Sequence, residues 1–70
     1  MTPSDLRTAR LRLNLAQADM GTAVGYRGSR ADRGQKISDM ECGRRRIQPR
    51  VARLVEMFLA HGVPAGYFEP

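Results

Sequence analysis

Basic side chains are concentrated in one part of this 70-residue chain. Residues 27–53 contain nine lysines and arginines and only three carboxylates, which gives this window a net charge of +6, whereas the other 43 residues carry −1. Such side chains can neutralise and hydrogen-bond an anionic partner. A positive charge confined to one contiguous region is typical of a surface that binds a polyanion. The alternative is a solvated face on which the same residues pair with neighbouring carboxylates.

Residues that commonly carry catalysis or hold metals are sparse. His61 is the single histidine and Cys42 the single cysteine, and no third group recognisable as a partner accompanies them. Zinc would need about four ligands at finger-like spacing. A lone thiol is ordinary in a reducing cytoplasm, and the longest apolar stretch, residues 57–60, is far below the roughly 18 residues of a membrane span. We therefore expect a cytoplasmic protein that is not an enzyme and has no cofactor, metal or membrane partner.

Helix signals account for both ends of the chain. Residues 2–5 (Thr-Pro-Ser-Asp) have the pattern of a capping box with a proline in the first turn. Gln48-Pro49 starts another helix, which is expected to end at His61-Gly62 and whose apolar positions recur with a 3.6-residue period. Residues 63–68 predict one short final turn of helix. No strand pattern or repeat is present.

Two further segments between these helices each have the pattern of a helix that ends at a glycine. The first, residues 15–25, contains Gly21, where a neighbouring helix must approach closely, and ends at Gly25, where a positive φ is favoured. The second has Ile37, Met40 and Glu41 on its inner face, at i, i+3 and i+4, and is followed by three consecutive arginines.

Together these two segments resemble the helix-turn-helix of the lambda repressor-like (Cro/C1-type) family, whose members commonly run Leu-Ser-Gln-x-x-Leu-Ala-x-x-Leu-Gly and then Ile-Ser-x-x-Glu-x-Gly-Arg-Arg. The resemblance covers about residues 3–60. It implies an all-α, five-helix, single DNA-binding domain over residues 1–70. It also implies a sequence-specific regulator of transcription, a homodimeric repressor or autoregulator of the phage or mobile-element kind, which binds an inverted-repeat operator in double-stranded DNA. No small-molecule effector is expected.

The connection between the two motif helices departs from the family pattern. It is about six residues longer than the usual turn of 3 to 4 residues. Residues 26–34 therefore form an extended loop inside the motif, or they lengthen the second helix at its N-terminus. Asp32 would cap a helix that begins at Arg33, and Ser29 would cap a longer one.

The resemblance, together with the positive charge of the longer connection, suggests roles for individual side chains. Gln35, Ser38 and Asp39, on the face opposite Ile37, are expected to read base edges in the major groove, although Asp39 could instead pair with Lys36 or Arg46. The residues expected to hold DNA phosphates are Gln17, Arg27, Arg30, Arg33, Lys36, Arg44, Arg45 and Arg46. A solvated side chain is the alternative for Gln17. Arg10 is expected to form a structural salt bridge with Glu41, as the matching positions do in the family.

Self-association is expected because a domain of this length buries only about 60% of its unfolded surface. Residues 63–70 form the expected dimerisation tail, with Val63, Tyr67 and Phe68 at the interface. The alternative is that the two rings fold back onto helix 1 of the same chain.

Two other functions use the same basic residues. One is an RNA or single-strand binding module built on the Arg-Gly segment, against which the scarcity of aromatic residues in the basic window argues, since Tyr26 is alone there. The other is an antitoxin-type module that binds an acidic protein partner.

Overall fold

The computed structural model describes residues 1–69, which form four α-helices and one turn of 3-10 helix. The helices are α1 (Pro3–Arg12), α2 (Gln17–Ala23), α3 (Arg30–Glu41) and α4 (Pro49–His61), and the 3-10 turn covers Ala65–Phe68. The described residues contain no strand, so the all-α class is confirmed. Where the sequence predicts a fifth helix, the structure has the 3-10 turn. No helix in this part of the chain is long and apolar enough to cross a membrane.

The predicted ends of the outer helices agree with the structure. Thr2 and Asp5 form a capping box in which the Asp5 N–H donates to Thr2 Oγ1 at 3.0 Å and the Thr2 N–H donates to Asp5 Oδ2 at 2.9 Å. The hydrogen bond from the Thr2 backbone holds the pKa of Asp5 below its ordinary value. Helix α4 begins at Pro49, and its C-cap is Gly62 with a φ of 81°.

The extra residues between α2 and α3 are divided between a loop and a helix. Residues 24–29 connect the two helices, and the residues from Arg30 onward lengthen α3. Ser29 is the cap of α3, because its Oγ accepts from the Asp32 N–H at 3.1 Å while the Asp32 carboxylate accepts from the Ser29 N–H at 3.3 Å. Asp32 therefore lies in the first turn of α3, and the interpretation in which it caps a helix beginning at Arg33 is wrong.

The core is formed by apolar side chains from all four helices. The largest fully buried ones are Leu6, Met20, Ile37, Met40 and Val55. Helices α1 and α3 contact each other across this core, as do α1 and α4. The core therefore fixes the inner face of α3 and leaves its opposite face to solvent.

Helices α2 and α3 approach each other through very small residues. A Cβ added to Gly21 would lie 2.5 Å from the carbonyl oxygen of Arg33, a distance that real Cβ atoms do not reach. One turn along, Gly34 faces Ala18, and a Cβ at Gly34 would lie 3.4 Å from the Ala18 nitrogen. The close approach predicted for Gly21 is confirmed, and its neighbour is the backbone of α3.

Candidate nucleic-acid interface

The outward face of α3 and the start of α2 enclose an open recess of about 390 Å³. Ile37 and Met40 are fully buried on the opposite side of α3, so this face is fixed toward solvent. The residues that line the recess are Ala16, Gln17, Ala18, Arg30, Ala31, Gly34, Gln35 and Ser38. Two of the predicted base-reading residues, Gln35 and Ser38, therefore border one recess, whose other residues on α3 include the small Ala31 and Gly34. Sequence reasoning did not assign a role to Ala31 or Gly34.

Asp39 lies beside this recess and is bound by two neighbours on the same side of α3. Its Oδ1 accepts from Gln35 Nε2 at 2.9 Å and lies 3.3 Å from Arg44 Nε. The backbone carbonyl oxygen of Asp39 also accepts hydrogen bonds from the backbone N–H groups of Arg44 and Arg45, with N···O distances of 2.9 and 3.1 Å. The ionic partner of Asp39 is thus Arg44, and the pairing with Lys36 or Arg46 considered from the sequence is not the one in the structure.

Glu41 connects three elements of the fold. Its carboxylate accepts from Arg10 Nε at 2.7 Å and from Arg10 Nη2 at 3.2 Å, while Arg10 Nη1 donates to the Leu15 carbonyl at 3.0 Å. The side chains of Arg10 and Glu41 are only 12% and 5% exposed. Gln17 Nε2 donates to the same carboxylate at 3.3 Å, so the Gln17 side chain is anchored to the end of α3 and is not freely solvated.

Two of the arginines predicted to bind phosphate also brace the connection between α2 and α3. Arg30 Nη1 lies 2.9 Å from Asp19 Oδ1, and this hydrogen bond raises the pKa of Arg30 above its usual value. Arg33 Nη1 donates to the Gly28 carbonyl at 2.6 Å. Arg33 Nε is buried and has no hydrogen-bond partner among the described residues. Both side chains make contacts between the start of α3 and the residues that precede it, and sequence reasoning missed these contacts.

Tyr26 contacts two more of the basic residues that are predicted to bind phosphate. Lys36 Nζ and Arg45 Cζ lie over its ring, 5.7 and 5.5 Å from the centroid, which is cation–π geometry. Tyr26 is half-buried against the core. Arg27 and Arg46 are exposed, and within residues 1–69 neither makes a side-chain hydrogen bond or ion pair. The signal for this cluster in the sequence was the single aromatic residue within the basic window.

The C-terminal turn leaves an apolar surface beside α4. Tyr67 packs edge-on against Phe58, with ring centroids 5.9 Å apart, and the turn lies against α2. Neither ring is fully covered, since Tyr67 is 45% and Phe68 38% exposed. The alternative in which the rings fold back onto helix 1 therefore needs correction, because the observed neighbours are α2 and α4.

The outward face of α3 and the basic residues around it offer charge and hydrogen bonding, and the single cysteine and histidine of the chain belong to different helix ends. Cys42 and His61 are exposed at the ends of α3 and α4. Among residues 1–69 no group of three His, Cys, Asp or Glu side chains could hold a metal ion. No known protein family, curated protein or solved structure matches this chain.

Proposed function

We propose that this chain regulates transcription by binding double-stranded DNA through a lambda repressor-like helix-turn-helix made of α2 and α3. The observation that carries the proposal is the outward face of α3, where Gln35, Ser38 and Asp39 lie opposite the buried Ile37 and Met40. An α-helix with polar side chains on its free face fits the major groove, and amide, hydroxyl and carboxylate groups are able to distinguish base edges there.

Basic residues at both ends of α3 supply the affinity that does not depend on sequence. Arg27 precedes the helix, and Arg44, Arg45 and Arg46 follow it. Their positive charges would contact the phosphates of the two strands, although Arg44 also pairs with Asp39 and Arg45 lies over Tyr26. Arg30, Arg33 and Lys36 keep their protein contacts in this arrangement and add to the positive field.

A titration of purified protein with a selected duplex and with random duplex, repeated at several salt concentrations, tests this function. Affinity is expected to fall steeply with salt, by about 10³-fold or more between 50 and 200 mM if a dimer neutralises six or more phosphates. The variant Arg46→Ala should weaken binding to every sequence alike. Gln35→Ala should instead remove about 1–3 kcal/mol of discrimination between bases, and only at the base pair that Gln35 contacts.

Arg7→Ala provides the matched control for that titration. Arg7 is exposed on α1, so its removal takes away the same charge outside the proposed surface. This variant should bind nearly as the parent does. Equal affinity for selected and random duplex, or an Arg7→Ala loss as large as that of Arg46→Ala, would show that sequence-specific binding by α3 is wrong.

Single-stranded nucleic acid is a less suitable partner for this surface. Binding of single strands without sequence preference relies on aromatic rings on which bases stack. Tyr26, the aromatic residue of the basic window, is half-buried and already lies against Lys36 and Arg45. Competition of single-stranded against duplex DNA at the same salt concentration distinguishes the two partners.

The proposed regulator acts as a homodimer whose interface includes Val63, Tyr67 and Phe68. Near Val63 and Tyr67 the exposed side chain of Met57 on α4 extends the apolar surface. A two-fold axis there would place the two α3 helices about one DNA turn apart, so half-sites of the operator should be about 10 bp apart, centre to centre.

Sedimentation of Phe68→Ala at micromolar concentration tests the interface. We expect a folded monomer with weakened operator binding, because Phe68 has no ring partner within the described part of its own chain. Leu11→Ala, which truncates an apolar side chain that is 54% exposed on α1, should remain dimeric. A folded dimer of Phe68→Ala would place the interface elsewhere.

A further inference from the structure

We propose that Asp39 is a positioning residue that fixes the side-chain amide of Gln35, so that α3 selects adenine over guanine. The inference rests on the proposed function and names the base that one side chain of the interface would read. It arises from the hydrogen bond between two residues one turn apart on the outward face of α3.

The chemistry of the contact determines which end of the amide faces Asp39. An ionised carboxylate accepts hydrogen bonds and donates none, so the group of Gln35 that lies 2.9 Å from Asp39 Oδ1 is the amide nitrogen. Arg44 Nε lies 3.3 Å from the same oxygen, which is therefore shared by two donors. The carbonyl oxygen of Gln35 is therefore turned away from Asp39, and one amide N–H remains available.

That orientation leaves Gln35 with one acceptor and one donor side by side. Adenine presents the complementary pair in the major groove, the N6 donor and the N7 acceptor. Guanine presents two acceptors, N7 and O6, so the Gln35 carbonyl would face a second oxygen. A glutamine free to rotate could turn both amide hydrogens toward guanine, but with one hydrogen held by Asp39 it cannot. Asp39 thus lowers the affinity for guanine at this position without contacting the base.

The neighbouring side chains leave space for a base edge at Gln35. Ala31 precedes it by one turn, Gly34 is adjacent, and Ser38 follows, and all three line the same recess. None of them has a side chain long enough to cover the Gln35 amide. The amide is therefore the longest uncharged group that α3 presents in this recess.

Selection of binding sites from a random duplex library tests the inference, with the parent protein, Gln35→Ala and Asp39→Asn compared at one salt concentration. The parent should enrich sites in which one position is adenine, preferred over guanine by roughly 5- to 150-fold, the range expected for a bidentate pair. Gln35→Ala should lose preference at that position alone. Asp39→Asn should enrich the same sites but accept adenine and guanine there within about threefold, because an asparagine can donate as well as accept.

Two controls separate this effect from charge and from folding. Glu56→Gln removes one negative charge from an exposed position on α4, and its selected sites should match those of the parent. Thermal melting should show that Asp39→Asn and a second variant, Asp39→Ala, both remain folded. Replacing the selected adenine by 7-deazaadenine should weaken the parent, but by less than Gln35→Ala does, since it removes the N7 acceptor and leaves the N6 donor.

The outcomes that overturn the inference differ from those that overturn the function. A parent that reads guanine at the Gln35-dependent position, or an Asp39→Asn protein that still rejects guanine as strongly as the parent, overturns the role of Asp39 and leaves DNA binding intact. The same holds if Glu56→Gln relaxes the position equally. If the parent enriches no sequence at all, the proposed function fails and the inference fails with it.

Discussion

Replacing Arg10 by methionine is expected to lower the free energy of unfolding by about 3 kcal/mol or more, the loss seen when one partner of a buried ion pair is removed. Glu41, whose side chain is only 5% exposed, would then keep Gln17 as its remaining side-chain donor. The carbonyl of Leu15 would lose a donor as well. A domain of this size has a total stability of roughly 3.5–10 kcal/mol. The melting temperature should accordingly fall by about 12 °C or more.

The double variant Arg10→Met/Glu41→Leu should recover much of that loss, because an apolar pair of similar volume avoids the cost of an unpaired buried charge. Urea unfolding of both single variants and the double variant provides a double-mutant cycle. Arg7→Met, an exposed position on the same helix, should change stability by less than about 0.5 kcal/mol. Additive losses in the cycle would contradict direct coupling between Arg10 and Glu41.

Gly21→Ala is expected to destabilise the fold by about 1–3 kcal/mol, although alanine is the better helix former. The added methyl would lie 2.5 Å from the Arg33 carbonyl oxygen, and relief requires α2 and α3 to separate. Since both helices of the proposed DNA-binding motif would shift, the proposed function also predicts weaker binding to a selected duplex. Thermal or urea unfolding gives the first effect, and a titration with duplex gives the second.

Gly34→Ala is the matched control, at the same helix contact with the same substitution. Its added Cβ would meet the Ala18 nitrogen at 3.4 Å, which is ordinary contact distance. The gain in helix propensity should therefore dominate and leave stability unchanged or raised by up to about 1 kcal/mol. Similar effects at Gly21 and Gly34 would show that the separation of α2 and α3 is not set at Gly21.

Local signals in the sequence predicted the parts of the fold that short segments determine. Thr2 and Asp5 form the predicted capping box, and α4 has the bounds expected from Pro49 and Gly62. The absence of a side-chain cap at Ala16 was also predictable, because alanine has no hydroxyl. These features depend on residues within one helical turn of each other.

The connection between α2 and α3 was less predictable for a physical reason. The spacing of Ser29 and Asp32 fits a capping box in which Ser29 is the cap, but Asp32 could also have capped a shorter helix. Which of the two helix starts forms depends on how α3 packs against α2. Contacts such as Arg33 to the Gly28 carbonyl require the three-dimensional path of the connection. Long flexible side chains select partners after the backbone is placed, so their pairings do not follow from spacing alone.

The small-residue contact between α2 and α3 has a consequence for how such a protein diversifies. Its closest approaches are Gly21 to the backbone of Arg33 and Gly34 to Ala18, and neither Gln35 nor Ser38 is among the groups nearest to these glycines. Exchanging Gln35 or Ser38 therefore leaves the helix–helix geometry untouched, as is general for surface positions. Substitutions on the outward face of α3 should therefore change the free energy of unfolding only slightly. For the proposed DNA-binding function, new target preferences would then be accessible through single substitutions on an unchanged scaffold.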